Sequence, residues 1–186
     1  MFLKEMITNV LTMIEEYDPK ALKNFTSDED IANKIKPAIN RKMFELCRIK
    51  KIPKYIEMTV SAGDVIDFDA ISSECGYDIY QVKLITGVKY DTRGDGTVYK
   101  IREGGTAEID VFVYPDAITE KTSNGYEFEL SADVLEIMPY GVAADILSTD
   151  VSSNYVEFKN QYERMLSRLE TRNQVPSISF EGGYVI

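Results

Sequence analysis

Histidine is absent from the sequence, and with it go the commonest general base, the usual zinc ligand and every triad of the serine–histidine type. Tryptophan is absent too, and the two cysteines, Cys47 and Cys75, lie in neither a disulfide framework nor a thiolate metal spacing. No run of eighteen apolar residues occurs, and Lys4-Glu5 puts a charge pair where a signal peptide would be uninterruptedly apolar. The expectation is a chain neither secreted nor membrane-spanning, at home in a reducing cytoplasm. Positive charge is scarce: 21 basic against 31 acidic residues leave a formal charge of −10, so phosphate backbones are repelled. No phosphate loop or dinucleotide fingerprint appears. What is present is a 44% hydrophobic content over 186 residues, enough for a sizeable core in one domain or two small ones.

Leu3, Met6, Ile7, Val10, Leu11 and Ile14 recur at spacings of three and four, which predicts an amphipathic helix over residues 2–16, ended by Asp18-Pro19. Ser27 is the expected cap of a second helix over 28–49, with acids in its first turn. Its apolar face is Ile31, Ile35, Ile39, Met43, Leu46 and Cys47, and Pro37 is expected to kink it. Lys34, Lys36, Arg41, Lys42, Arg48 and Lys50 are either a solvated face balanced by neighbouring acids or a docking surface.

From Lys54 the period changes to two. Ile56, Met58 and Val60 alternate with polar neighbours, Val82, Leu84 and Thr86 follow similarly, and Ala107, Ile109, Val111 and Val113 form the clearest strand. Turn chemistry at 91–96, Gly104-Gly105 and Ser123-Asn124-Gly125 separates these runs and predicts five to seven short antiparallel strands.

Ser131 is expected to cap a short turn through Glu136, with Pro139 at the first position of a further helix carrying Val142, Ala143, Ile146 and Leu147. Asp150, Ser152 and Ser153 open a last helix whose stripe Tyr155, Phe158, Tyr162, Met165, Leu166 and Leu169 runs through Arg172, expected to bury against the N-terminal helices. Residues 173–186 follow as an extended arm rich in apolar side chains, which packs on its own subunit or on a neighbour. The fold class is thus α+β. Segments 1–53 and 131–172 form a helical platform, and 54–130 an inserted antiparallel β-sandwich or barrel-like unit.

Candidate chemistry is thin. Asp91-Thr92-Arg93-Gly94-Asp95-Gly96 resembles a calcium loop until Arg93 and Arg102 fall where oxygen ligands are needed, so a hairpin turn is expected. Asp64, Asp67, Asp69 and Glu74 are crowded in sequence, which does not supply the geometry of a carboxylate pair, and a solvated loop is expected. Catalytic, cofactor and metal residues are therefore not assigned. Twelve tyrosines suit surfaces half-buried against a partner as well as ordinary sheets. The candidate interface residues are Val175, Ile178, Phe180, Tyr184 and Ile186 on the arm, with Tyr140, Tyr155 and Tyr162 on the last helices.

The stretches Thr26-Ser27-Asp28-Glu29-Asp30-Ile31-Ala32-Asn33-Lys34-Ile35 and Ile137-Met138-Pro139-Tyr140-Gly141-Val142-Ala143-Ala144-Asp145-Ile146-Leu147, followed by Asn154-Tyr155 and Gln161-Tyr162-Glu163-Arg164-Met165-Leu166, carry a resemblance. Together with the order helix pair, β insertion, helix pair and tail, they resemble the head-to-tail connector (adaptor) proteins of tailed bacteriophages, particularly those of low-GC Gram-positive hosts. The resemblance covers both helical ends. It implies a structural virion protein of the neck, without cofactor or reaction, assembled in the bacterial cytoplasm. Sister subunits would form a ring, a dodecamer, beneath the portal protein, extend the DNA channel without specific DNA binding, and dock the next neck or tail protein. The β insertion departs from the shortest members, which are almost wholly helical. Two other readings compete: a stand-alone β-sandwich binding a peptide or carbohydrate, and an enzyme working through carboxylates alone.

Overall fold

The structure, a computed structural model, describes residues 1–21, 25–94, 96–148 and 154–174. The chain is α+β. In order it forms α1 (Leu3–Met13), α2 (Glu29–Ile49), β1 (Ile52–Val60), β2 (Val65–Ile66), α3 (Phe68–Cys75), β3 (Ile79–Thr86), β4 (Lys89–Arg93), β5 (Val98–Glu103), β6 (Gly105–Val113), α4 (Ala132–Leu147) and α5 (Asn154–Gln174).

The N- and C-terminal helices do meet. α1 and α2 pack on α4, and α5 covers α4 from another side. Sequence explains why α4 is central: Val134, Leu135, Ile137, Met138, Val142, Ala143, Ala144 and Ile146 are buried around its whole circumference, and a helix apolar all round must be enclosed. α1 offers one stripe instead, Leu3, Met6, Ile7, Val10 and Leu11, each contributing about 1.5–3 kcal/mol when buried.

Several boundaries differ from the sequence pattern for physical reasons. α1 stops at Met13 because Glu15 turns left-handed at φ 62°. Asp28, rather than Ser27, caps α2, accepting from the Asp30 and Ile31 amides at 2.8 and 3.1 Å. As the pattern predicted, α2 runs through Pro37 as one helix, its buried face continuing through Ile35, Ala38 and Ile39 on both sides of it. Pro139 lies inside α4, not at its start, so the expected short turn and helix are one element. α5 finds its main partner in α4 and touches α2 more lightly, against the expectation of burial on the N-terminal pair. Its predicted opening residues Asp150, Ser152 and Ser153 lie outside the described residues.

The β unit consists of two three-stranded antiparallel sheets, ordered β1-β6-β3 and β2-β5-β4. It begins two residues earlier than Lys54, since only Lys50 and Lys51 separate α2 from β1. β1 and β6 pair without a slip from Ile52↔Val113 to Val60↔Gly105. As the alternation predicted, Ala107, Ile109, Val111 and Val113 face the core. β3 departs from its pattern: register shifts at Ile79/Gln81 and Val82/Leu84 change its phase, burying Ile85 and leaving Leu84 50% exposed. The acid-rich stretch expected as a loop contains α3, capped by Asp67, whose carboxylate accepts from the Ala70 amide at 2.8 Å.

Residues 114–130 are a strap binding the β unit to the platform. Asn40 of α2 grips it twice, donating to the Ile118 carbonyl and accepting from the Ile118 amide, both at 2.8 Å. Leu3 and Lys4 donate their amides to the Tyr126 and Asn124 carbonyls, which satisfies donors left open at the start of α1. Tyr80 and Tyr114 pack with ring centroids 4.6 Å apart, Tyr80 donates to the Cys47 carbonyl, and Arg48 donates to the Tyr114 hydroxyl. Platform and β unit share one continuous apolar core.

Candidate functional site

Two of the tyrosines singled out from sequence, Tyr155 and Tyr162, come together with α2 and α4 around an open cleft of about 290 Å³. Tyr162 is 5% exposed and sits against Gly141, where an added Cβ would lie 2.7 Å from the ring. Its hydroxyl donates to Glu45 at 2.7 Å, and the Lys42 ammonium stands 4.7 Å from the ring centroid. Lys42 also meets Glu45 at 3.0 Å and Asp145 at 3.4 Å, while Arg41 reaches the other Asp145 oxygen at 3.3 Å. That oxygen is buried without a hydrogen bond, so the Arg41 contact is electrostatic attraction lacking donor alignment. Burial first, then the bond to Glu45, raises the Tyr162 pKa far above the ordinary phenol value.

Two cations thus face two carboxylates across three helices. The arrangement is a charge-balanced clasp: its acids are committed to local cations and its phenol is held protonated. Some other reactive side chains are similarly engaged. Burial pushes the Cys47 thiol up to about 11, away from the thiolate form. Asp64 accepts from the Ser61 amide at 2.8 Å and Asp67 caps α3, so half of the crowded acids shape the backbone. Among the described residues no group of three His, Cys, Asp or Glu side chains could hold a metal ion. No described helix is long and apolar enough to cross a membrane.

The basic side chains of α2 are balanced by acids or rings. Lys34 pairs with Asp30, Lys36 with Glu120, Lys50 with Asp133, and Arg48 lies over the Tyr114 ring.

Tyr140 is half-buried on α4, apart from the clasp. It borders a second cleft, of about 420 Å³, with Met1 and Met13 from the α1 region and Leu135 and Pro139 from α4. Val175, Ile178, Phe180, Tyr184 and Ile186 lie outside the described residues. A surface that sequence reasoning missed is the outer face of the β1-β6-β3 sheet. Tyr55 and Leu84, 56% and 50% exposed, flank Asp110 in one cross-strand row, and Glu57 faces Glu108 in the next. The alternation around Leu84 pointed inward because a bulge leaves no residue signature that a period-two count detects.

Compared with known proteins, the chain matches no family model, and no curated protein matches it significantly.

Proposed function

We propose that the chain is a head-to-tail connector (adaptor) subunit of a tailed bacteriophage. It assembles as a ring beneath the portal protein, continues the DNA channel and offers its lower surface to the next neck or tail protein. The observation that carries this reading is the part of α5 left uncovered by the other described residues. Its stripe fully buries Tyr162 and Leu169, yet Phe158, Met165 and Leu166 stay half-buried and Val156 is 55% exposed. A helix whose apolar surface exceeds what the other described residues cover suits a neighbouring molecule.

Two further features support it. The helical ends form one platform clasped by Tyr162, Glu45, Lys42 and Asp145, a unit suited to repetition around an axis. The formal charge of −10 makes the subunit repel phosphates, which suits a wall past which DNA must slide without sticking. The reading assigns no reaction and no cofactor.

Ring contacts of this kind are individually weak and become strong collectively on a template. The isolated subunit is therefore expected to be a monomer or weak oligomer, and to form rings when mixed with the portal protein of the same phage. Electron microscopy of the mixture is the test. Portals that stay bare at micromolar subunit overturn the proposal. Removal of residues 174–186 is expected to lower assembly while the fold survives. A stand-alone sugar- or peptide-binding sandwich would show affinity in the β unit and no dependence on those residues.

A further inference from the structure

The outer face of the β1-β6-β3 sheet holds a conflict that the described residues do not resolve. Glu57 on β1 stands directly opposite Glu108 on β6. Like charges so placed, with Cβ atoms about 4.5–5.5 Å apart, weaken a strand pair. Among the described residues hydroxyls serve them: Tyr55 donates to Glu57 at 2.9 Å and Thr86 to Glu108 at 3.1 Å. The Lys83 ammonium, on the neighbouring strand β3, reaches Asp110 instead, at 3.8 Å. The bond to Glu57, together with Glu108 and Asp110 nearby, pushes the Tyr55 hydroxyl up to about 12, which marks the face as electronegative.

α5 contains the opposite conflict. Arg164 and Arg168 are exposed one turn apart, and like charges at that spacing, with Cβ atoms about 5–6 Å apart, repel. Neither forms an ion pair among the described residues, and the adjacent Glu163 is drawn to Lys159 at 3.9 Å. The two couples match in spacing and oppose in sign. Apolar surface accompanies the acids: Tyr55 and Leu84 occupy the row beside them, about 7 Å away.

We propose that the outer sheet face of one subunit receives α5 of a second copy, with Arg164 and Arg168 seated on Glu57 and Glu108. Because the two patches differ, the contact is heterologous, and repetition closes a ring or extends a filament. In its biological setting this rests on the connector reading, whose ring contact it specifies. The chain's formal charge of −10 drives copies apart, so association depends on such a local match of cations to acids.

The test is sedimentation velocity on the full chain at about 100 µM, in low and in moderate salt. The native chain is expected to associate weakly and to dissociate as salt rises. E57K/E108K alone and R164E/R168E alone each weaken association by about ten-fold or more, whereas an equimolar mixture of the two variants restores it, because each sheet again meets a helix of opposite charge. These are surface substitutions, and thermal melts of both variants close to the native one show that the fold is kept. A native chain that stays monomeric in low salt, or a mixture that associates no better than its components, overturns the proposal. The outcomes also separate the two readings. Bare portals alongside charge-matched association sink the connector assignment and keep this contact, while portal rings that form normally with R164E/R168E do the reverse.

Discussion

Tyr162 of α5 and Glu45 of α2, 117 residues apart in the chain, are joined by a 2.7 Å hydrogen bond in which the phenol donates to the carboxylate. Tyr162→Phe keeps the ring on Gly141 and beside Lys42 and removes only that bond, so the expected loss is about 2 kcal/mol, the range for a bond to a charged group. The folded pKa of Tyr162 is raised above the ordinary value of 10.0. Its stabilisation is therefore complete below the unfolded phenol pKa and is lost as pH climbs above about 10. Tyr80, pushed up to about 12 chiefly by burial, adds to the same alkaline decline. Urea midpoints between about pH 9 and 11 are expected to fall less steeply in Tyr162→Phe than in the native chain. Parallel curves would show that the bond does not clasp α5 to α2.

Gly141 is needed for the same clasp from the α4 side. A Cβ at this position would lie 2.7 and 2.8 Å from two Tyr162 ring carbons and 3.0 Å from the Lys42 side chain. In an open helix Gly→Ala gains up to about 1 kcal/mol, but overpacking against a buried ring costs about 1–3 kcal/mol, so the clash prevails. Gly141→Ala should lower the melting temperature, and adding Tyr162→Leu to make room should recover part of the loss. A more stable single variant would mean that α5 shifts freely.

The legible and illegible parts of this fold divide along the reach of each interaction. Leu3, Met6, Val10 and Leu11, or Ala107 through Val113, are placed by periodicity because their partners lie on one continuous face. Pro139 misled because a helix breaker is judged locally, whereas buried neighbours such as Met138 and Val142 keep α4 whole. Leu84 misled because a bulge reverses faces without changing composition. The clasp was half legible: Tyr155 and Tyr162 stood out on α5, but Lys42, Glu45 and Asp145 join them only once three helices are packed. The acid couple of Glu57 and Glu108 exists only in the register between strands 51 residues apart in sequence, 108 − 57, and no local pattern contains it.

Asn40 ties the strap to α2 through both halves of its amide, each bond 2.8 Å. Asn40→Ala leaves the Ile118 amide and carbonyl without those partners, at a cost of about 1–3 kcal/mol. The loss should be local first. Hydrogen exchange is expected to speed up at Ile118 and along residues 114–130 well before the platform amides respond. Asn40→Asp, which keeps the acceptor and loses the donor, should fall between the two. Uniform acceleration across the chain would indicate that the strap is not a separately opening unit.

Gly87 turns the chain between β3 and β4 at φ +81°, where an added Cβ would lie 2.2 Å from the Thr106 carbonyl oxygen of β6. That contact is backbone against backbone in a bonded sheet, so nothing can swing aside. Gly63, at φ +99°, is the natural control because no atom lies within 4 Å of its would-be Cβ. Gly63→Ala should cost only the left-handed strain, about 1–2 kcal/mol, while Gly87→Ala adds a steric conflict and should lose roughly 3 kcal/mol or more. Urea denaturation of both variants measures the gap. Equal losses would mean that the corner between the two sheets yields, and that β6 is not held as firmly as its pairing on both sides implies.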